Sequence, residues 1–384
     1  MQAREFLMIP GPTPVPDRVL EAIARHPIGH RTQEFSKLLR ASVDGLKWLA
    51  ETKNDPMIIT SSGSGAMEAA IANVVNPGDK VISLVCGVFG ERWAKIAESF
   101  GAQVERINAQ PGESISLSVL EERLQKDTSK EIKAVTITHN ETSTGVINDL
   151  EQIVKAIGEH GALSIVDAVT SFGACPLSID KFGLDILVTG SQKALMLPPG
   201  LGIIFLSDRA WKACESCKSP RFYFDLRRYR KSLEADTTPY TPNVSLVAGL
   251  KTSLEMIEQE GKEKIFDRHR RLKASLRAGL QAMGLELFVD EACASPTITA
   301  ILPPKNLAVS NIRKGLREEF KILIADGQES LKGKIFRIGH MGYVFDRDIL
   351  MTLASLEAVL KTLGYDTRRG QAVEAATQAM ALMK

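Results

Sequence analysis

Short apolar runs alternate with longer amphipathic segments between residues 56 and 207. The runs are rich in β-branched residues, as expected of strands buried on both faces of a sheet, and the segments between them have helical spacing. The pattern therefore predicts an α/β fold with a mostly parallel sheet between helices, in which ligands bind at the carboxyl ends of the strands. We expect strands at 57–60, 81–85, 134–138, 164–167, 186–188 and 202–206, and helices at 91–100 and 150–160 among others.

After residue 245 the pattern changes to long, charged helical segments and shorter strands, which is typical of an α+β arrangement. We expect this part to form a second, smaller domain. Its predicted elements are helices within 246–284, strands at 297–302 and 334–338, a helix at 346–363 and a helical or frayed end at 368–384. The predicted division of the chain is an N-terminal segment at 1–16, a large domain at 17–255 and a small C-terminal domain at 256–384.

Composition and charge exclude several classes of protein. The chain has 384 residues, of which 44% are hydrophobic and 24% charged, as is ordinary for a soluble protein with a large core. Its formal net charge is +2 and it has no basic run interleaved with aromatic residues, so we expect no nucleic-acid partner. No signal-peptide core is present, and no apolar stretch approaches the roughly 20 residues that a bilayer demands. We therefore expect a cytoplasmic protein with no membrane partner.

Five cysteines, at positions 86, 175, 214, 217 and 293, show no rhythm of a disulfide scaffold. Cys214 and Cys217 form a single Cys-x-x-Cys. Such a motif could be a redox pair or one half of a metal site, but no second pair is present to complete a metal site. We therefore expect free thiols and no metal site, while a role for this pair stays open.

The strongest chemical signal is Lys193. It follows the β-like run 185–189 and precedes the apolar turn 194–200, which is bounded by proline and glycine. Desolvation disfavours the ammonium ion, so a lysine held there loses its proton more readily than a surface lysine. A neutral lysine amine is a nucleophile, and its common biological use is a Schiff base with an aldehyde cofactor. The alternative is a solvated lysine at the end of a strand.

A serine- and glycine-rich loop follows the first predicted strand and opens a helix. It contains Ser62, Gly63 and Ser64. Glycines allow a ligand to approach the backbone, and the first helical amides can bind a phosphate. A turn of this kind can also serve as a helix cap alone.

Asp167 ends a buried strand, where a carboxylate is costly unless it meets a cation or a hydrogen-bond donor. It could cap the next segment, or it could pair with a protonated pyridine nitrogen and so strengthen a cofactor ring as an electron sink. Asp167 precedes Lys193 by 26 residues, which leaves room for one connection and the next strand. Both side chains can therefore lie at the same edge of one sheet.

Together these features resemble the class V aminotransferases, which are fold-type I pyridoxal phosphate (PLP) enzymes, and within them the alanine/serine–glyoxylate aminotransferase group. The resemblance covers nearly the whole chain. Some relatives carry the label of a soluble hydrogenase subunit, but a nickel–iron centre requires two cysteine pairs and this chain has one. The segments that carry the resemblance are Pro10–Pro14, Gly63–Glu68, Gly190–Ala194 and Arg337–Gly339.

The resemblance implies catalytic and cofactor-binding roles for several positions. Lys193 would attach the cofactor covalently and then move the proton between the substrate α-carbon and the cofactor. Asp167 would pair with the pyridine nitrogen. The residues that would hold the phosphate are Ser62, Gly63, Ser64 and Gln192.

Three further positions match family residues around the cofactor ring and the substrate. Phe89 matches an aromatic residue that stacks on the ring, and its alternative is a core aromatic. Thr142 matches a residue that contacts the phenolic oxygen, although Glu141 and Ser143 are also polar and leave the register open by one residue. Arg337 would clamp the substrate α-carboxylate, because a guanidinium offers two parallel donors, and its alternative is a surface arginine on a strand.

Thr241 matches a segment that reaches into the neighbouring subunit and touches its cofactor phosphate. If that holds, the active site requires a homodimer with shared sites; Thr238 and Tyr240 are weaker candidates for the contact. His30 and Arg31 lie where the N-terminal segment of the family lines the entrance for substrate, or they form an ordinary surface pair.

The function that the resemblance implies is that of a PLP-dependent transaminase. It would move an amino group from a small amino acid, alanine or serine, to the 2-oxo acid glyoxylate or pyruvate with ping-pong kinetics. The alternatives are a 2-aminoethylphosphonate–pyruvate transaminase, another class V enzyme such as a lyase, and a noncatalytic partner subunit. Together Lys193, Asp167 and Arg337 argue against the last. A cysteine desulfurase would require a reactive cysteine late in the chain, and the surroundings of Cys293 do not resemble its loop.

Overall fold

The structure is a computed structural model that describes residues 4–383. The strands within these residues are β1 (Phe6–Leu7), β2 (Met57–Thr60), β3 (Lys80–Val85), β4 (Gln103–Asn108), β5 (Ile132–Thr138), β6 (Asn140–Glu141), β7 (Val146–Ile147), β8 (Leu163–Asp167), β9 (Ile186–Gly190), β10 (Leu201–Leu206), β11 (Ile298–Ile301), β12 (Ile322–Leu323), β13 (Ala325–Asp326) and β14 (Phe336–Gly339). The helices are α1 (Asp17–Ile23), α2 (Gln33–Ala50), α3 (Gly63–Val74), α4 (Val88–Ser99), α5 (Leu117–Lys126), α6 (Leu150–His160), α7 (Ile179–Phe182), α8 (Asp208–Ser216), α9 (Leu226–Leu233), α10 (Val244–Glu260), α11 (Lys262–Ala282), α12 (Val309–Phe320), α13 (Asp346–Thr362) and α14 (Gln371–Leu382), with 3₁₀ turns at Glu291–Cys293 and Glu329–Leu331.

The largest sheet has seven strands in the order β2-β10-β9-β8-β5-β3-β4. All of them run in the same direction except β10, which is antiparallel to its neighbours β2 and β9. Every residue of β8, β9 and β10 is buried, as strands covered by helices on both faces should be. The predicted α/β fold with a mostly parallel sheet is therefore confirmed.

One strand of this sheet, β4, is not predicted from the sequence pattern. It lies at the edge of the sheet and pairs in parallel with β3. Its sequence, Gln-Val-Glu-Arg-Ile-Asn, has one buried residue, Ile107. Because an edge strand is partly solvated and this one is rich in charge, its sequence lacks the apolar run by which the central strands are recognised.

The C-terminal part forms a three-stranded antiparallel sheet, β11-β14-β13, against long helices. The described residues bury two apolar clusters, one drawn from residues 19 to 294 and the other from Met8 and residues 272 to 380. Helix α10 spans the predicted boundary between residues 255 and 256. The division into 1–16, 17–255 and 256–384 stays a prediction, and its outermost residues, 1–3 and 384, lie outside the described part.

The N-terminal segment connects the two clusters. Strand β1 pairs in parallel with β12, and the chain then crosses to the carboxyl edge of the large sheet. There the amide of Thr13 donates to the carbonyl of Gln192 at 3.2 Å, and its hydroxyl donates to the carbonyl of Lys193 at 2.9 Å. The segment therefore packs directly on the predicted lysine. Among the described helices, none has the length and apolar character required to cross a bilayer.

Candidate active site

Five parallel strands end at one edge of the large sheet, and eight of the predicted site residues lie just after or at these ends. Strands β2, β3, β5, β8 and β9 each contribute. Together with the start of α3 and α4, their ends enclose an inner cavity of about 180 Å³. The predicted residues that line it are Ser62, Gly63, Ser64, Phe89, Thr142, Asp167, Gln192 and Lys193.

Lys193 lies at the boundary between this cavity and a larger outer one. Its Nζ donates a hydrogen bond to the carbonyl of Pro10 at 2.6 Å. Gly11 has a φ of 139°, and a Cβ at that position would overlap the lysine side chain, so glycine lets the N-terminal segment pass over the amine. Burial lowers the pKa of Lys193 to about 8; Asp167 opposes the shift, and the positive charges of Arg337 and Arg92 add to it. Near neutral pH the amine is therefore within reach of its nucleophilic form.

Asp167 is 4% exposed at the end of β8. Its Oδ1 accepts a hydrogen bond from the amide of Val169 at 2.8 Å. The pKa of Asp167 is raised to about 7, chiefly by burial and also by the negative charge of Glu141, while the hydrogen bond from Val169 and the charges of Arg92 and Lys193 oppose the rise. A carboxylate whose ionisation is disfavoured by burial gains most from a cation placed against it, such as a protonated ring nitrogen.

The start of α3 supplies a site for an anion. The hydroxyl of Ser62 accepts from the amide of Gly65 at 3.3 Å, while the amides of Gly63 and Ser64 have no partner within the helix. These amides and the helix dipole favour negative charge. A Cβ at Gly63 would lie 2.9 Å from the side chain of Val169, so this close approach requires glycine.

Gln192 completes this end of the cavity. Its Oε1 is buried and has no hydrogen-bond partner among residues 4–383. A buried polar atom of this kind calls for a ligand or a water molecule. Rotation of the side-chain amide of Gln192 by half a turn would instead present its two N–H donors to an anion.

The inner cavity fits pyridoxal phosphate. Lys193 would supply an amine for the aldehyde, Asp167 a carboxylate for the ring nitrogen, and the start of α3 with Gln192 a site for the phosphate, and all of these line the cavity. The unpartnered oxygen of Gln192 is the observation that most directly indicates a missing polar partner.

The outer cavity, of about 710 Å³, shares Phe89, Thr142 and Lys193 with the inner one and is also lined by Arg337. Arg337 is 5% exposed on β14. Its guanidinium donates to the carbonyl of Asp326 from Nε and Nη2, at 2.8 and 2.6 Å. Nη1 donates to the carbonyl of Thr142 at 2.7 Å and to Gln328 at 3.2 Å.

These four bonds use four of the five N–H groups of the Arg337 guanidinium. The predicted two-pronged grip on a carboxylate therefore requires substrate to replace at least one bond to the protein. Burial lowers the pKa of Arg337 to about 10, and Glu141 and Asp326 counteract this shift.

Three predicted positions lie away from both cavities. Thr241 is exposed and lines neither of them. A contact of Thr241 with a neighbouring subunit stays a prediction. His30 and Arg31 also lie outside these linings, and Arg31 donates from Nη1 to the hydroxyl of Thr237 at 2.8 Å.

Sequence reasoning missed the role of Glu141, which enters only as an alternative to Thr142. Its carboxylate is fully buried. It accepts from the amides of Phe89 at 2.9 Å, Gly90 at 3.2 Å and Ser143 at 3.0 Å. One carboxylate therefore ties the start of α4 to β6 and fixes the backbone that carries Phe89.

Two further lining residues are absent from the sequence prediction. Arg92 donates to the hydroxyl of Ser64 at 2.9 Å, and its guanidinium carbon lies 4.5 Å from the centre of the Phe89 ring. In the sequence, only the spacing of three residues between Phe89 and Arg92, which places both on one side of a helix, could have identified Arg92. Asn140 lines the inner cavity with a buried Oδ1 that has no hydrogen-bond partner in the described part of the chain, and no periodicity marks it among the polar residues around it.

The cysteines lie apart from this chemistry. All five are free thiols. Cys214 and Cys217 are buried, with Sγ 3.5 Å from Asn73 Oδ1 and 3.6 Å from the carbonyl of Ala72, respectively. Within the described chain, no group of three or more histidine, cysteine or acidic side chains is arranged to hold a metal.

The chain is similar to known proteins over nearly its whole length. The sequence model of the family described as "Aminotransferase class-V" matches residues 6–345. The chain is 48% identical over 380 residues to the "Soluble hydrogenase 42 kDa subunit" of Anabaena cylindrica, covering 98% of this chain and 99% of that one. It is 35% identical to a serine–glyoxylate aminotransferase of Arabidopsis thaliana, covering 97% of this chain and 94% of that one.

A solved structure is similar over the whole length. It is the ureidoglycine–glyoxylate aminotransferase of Bacillus subtilis, with a TM-score of 0.95 and 32% identity, and 99% of each chain is covered.

Proposed function

The chain belongs to the class V aminotransferase family and is a PLP-dependent transaminase, and on this premise we propose that it uses small amino acids as donors. The reaction moves the amino group of alanine or serine to glyoxylate or pyruvate. With alanine and glyoxylate, the products are pyruvate and glycine. The names of the serine–glyoxylate and ureidoglycine–glyoxylate relatives support glyoxylate as the acceptor.

One observation carries the proposal. Asp167 ends strand β8, and Lys193 follows the adjacent strand β9. Both line the same cavity. Arg337 lines the outer cavity, which also reaches Lys193. An amine, a buried carboxylate and a guanidinium thus converge where an amino acid and PLP would meet.

The chemistry divides between the cofactor and the protein. When bound, PLP supplies a conjugated ring that accepts the electron pair left at the substrate α-carbon. The Nζ of Lys193 removes the α-proton and returns it, a task suited to an amine whose pKa burial lowers to about 8. Asp167 holds the proton of the ring nitrogen, and Arg337 orients the substrate carboxylate. Phe89 would stack on the ring, and Thr142 would contact its phenolic oxygen.

The proposal includes a homodimer. Thr241 lies on the surface and away from the cavities of its own chain, so a cofactor contact through it would have to be made in a second copy. In that arrangement, each subunit would complete the phosphate site of the other.

An absorbance titration tests this function. Purified protein loaded with PLP receives alanine, serine or 2-aminoethylphosphonate, followed by glyoxylate or pyruvate. We expect a small amino acid to bleach the band of the lysine-bound cofactor and the 2-oxo acid to restore it.

The controls are Lys193→Ala and Lys155→Ala; Lys155 is an exposed lysine on α6. The first should lack the band and the second should behave like the wild type. Bleaching by aminoethylphosphonate alone would replace the proposed substrates. No band in the wild type would favour a noncatalytic subunit.

A further inference from the structure

The guanidinium of Arg337 has one N–H group left for a ligand. Its Nε and one N–H of Nη2 both donate to the carbonyl of Asp326, so the second N–H of Nη2 has no acceptor among residues 4–383. In a planar guanidinium, this group lies parallel to an N–H of Nη1. A carboxylate can therefore accept two parallel bonds here only if Nη1 gives up one of its present acceptors.

The two acceptors of Nη1 differ in how easily they can be replaced. The carbonyl of Thr142 is 2.7 Å away and belongs to the main chain of a buried residue. The Oε1 of Gln328 is 3.2 Å away, the longest of the four bonds, and belongs to a half-buried side chain. A main-chain carbonyl moves only with the backbone, whereas a side-chain amide leaves by rotation about single bonds. Gln328 is therefore the acceptor that a substrate carboxylate would replace.

A neighbouring cleft offers the displaced side chain a place. Gln328 lines the outer cavity and also a cleft of about 500 Å³ between the start of α4 and the 3₁₀ turn Glu329–Leu331. Lys95 and Ser143 are among the polar side chains that line this cleft. The amide of Gln328 can therefore turn away from Arg337 and still find hydrogen-bond partners.

The side chain of Gln328 is suited to leave and to return. An amide oxygen resembles one oxygen of a carboxylate, but it carries no net charge and makes one bond, whereas a carboxylate makes two parallel bonds to a guanidinium. Substrate should therefore displace Gln328. Arg337 is 5% exposed, and a buried donor without an acceptor is costly, so Gln328 should return when the product leaves.

We propose that Gln328 is a positioning residue that occupies the carboxylate site of Arg337 between the two half-reactions and yields it to each incoming amino acid or 2-oxo acid. The inference rests on the proposed function, since the substrate carboxylate must bind Arg337. Gln328 lowers the affinity for carboxylates, because each ligand must replace an existing hydrogen bond, and it eases release of the product. Since this bond is broken before the α-proton moves, KM should depend on Gln328 and the limiting rate constant should not.

The test changes the acceptor at position 328 in two directions. Gln328→Met keeps the length of the side chain and removes the acceptor, whereas Gln328→Glu replaces it by a charged one. The matched control is Gln259→Met, because the exposed Gln259 accepts from Nη1 of Arg18 at 3.0 Å and lines neither cavity.

Two measurements are made on the PLP-loaded enzyme. Calorimetry gives the affinity for propionate, a carboxylate without an amine, and Arg337→Gln shows whether propionate binds at Arg337. Single-turnover bleaching of the cofactor band by alanine gives the limiting rate constant and the half-saturating concentration.

We expect Gln328→Met to bind propionate about 3- to 10-fold more tightly and Gln328→Glu about 10- to 100-fold more weakly, as for removal of one hydrogen bond and addition of an ion pair. The half-saturating concentration of alanine should follow propionate in both variants, while the limiting rate constant should change by less than about twofold. Gln259→Met should match the wild type, and Arg337→Gln should lose propionate binding. Opposite shifts from two substitutions at one position would exclude a general loss of structure.

Three results overturn the inference. If Gln328→Met leaves propionate binding unchanged or weakens it, Gln328 is not the displaced acceptor, while the proposed function stands. If Arg337→Gln binds propionate as well as the wild type does, the carboxylate site lies elsewhere and Gln328 does not occupy it. If no amino donor bleaches the band, the proposed function fails and the inference fails with it.

Discussion

The inner and outer cavities share three lining residues but are built on different principles. The inner one is formed by the ends of buried strands, and its key carboxylate, Asp167, is 4% exposed. The outer one is walled partly by α12, where Arg313 is 40% exposed. Burial shifts pKa values and so produces reactivity, whereas accessible charge selects among ligands without altering the chemistry. Changes in the inner cavity should therefore affect every substrate, and changes at the exposed cations of α12 in the outer one only some.

The largest effect is expected from the inner lysine. Lys193→Ala should reduce transamination of every amino donor by about 10⁴-fold or more, because the group that moves the α-proton is lost. The measurement is the single-turnover rate with alanine and with serine. A variant that lost only one of the two donors would break the distinction between the cavities.

Asp167→Asn should lower the rate by about 10²- to 10⁴-fold for all donors, since an amide cannot carry the negative charge that holds a proton on the ring nitrogen. The same single-turnover assay measures it. Equal activity of the variant and the wild type would remove Asp167 from the mechanism.

The same substitution should stabilise the protein without cofactor. Burial raises the folded-state pKa of Asp167 from 3.8 to about 7, so its stabilising contribution is fully present below the lower value and is lost as the pH rises through 7. At pH 8 the free energy of unfolding of the variant, measured in urea, should therefore exceed that of the wild type by up to about 4 kcal/mol. At pH 3.5 the difference should vanish. A variant less stable than the wild type at pH 8 would contradict this account of the inner cavity.

Glu141→Gln tests the buried carboxylate that positions Phe89. Replacing one oxygen by an NH₂ group sets a donor against the backbone donors that the carboxylate accepts, so the free energy of unfolding should fall by about 1–3 kcal/mol. PLP affinity should also fall by about tenfold, because the backbone that carries Phe89 is no longer held in place. Urea unfolding and a PLP titration measure the two effects, and unchanged PLP affinity would limit Glu141 to a structural role.

The smallest effect is expected at the rim of the outer cavity. Lys314→Gln should slow the reaction of alanine by no more than about threefold, because an exposed ion pair contributes about 0–1 kcal/mol. Steady-state kinetics measure this difference. A loss as large as that expected for Asp167→Asn would break the distinction between the cavities.

The comparison also explains what the sequence can predict. The central strands are found because burial on both faces makes them apolar throughout, whereas β4, at the edge, is charged and is missed. Asp167 and Lys193 are predicted because each polar side chain stands out at the end of an apolar run. Gln328 has no such contrast, since it lies among other polar residues of a turn.

Contacts between distant segments account for the remaining differences. Glu141 acts through the backbone of Phe89, and Arg337 donates to the carbonyls of Thr142 and Asp326. These partners are set by the fold and leave no periodic signal in the chain. The type of each residue is readable from the sequence, but the occupancy of its hydrogen-bonding groups is not.

The central claim is that Lys193 is the amine that holds PLP in the inner cavity. The most direct measurement is borohydride reduction of the PLP-loaded protein, followed by digestion and mass spectrometry. We predict one pyridoxyl group, on the peptide that contains Lys193, and no label after Lys193→Ala. A label on another lysine, or none on the loaded wild type, would contradict the account.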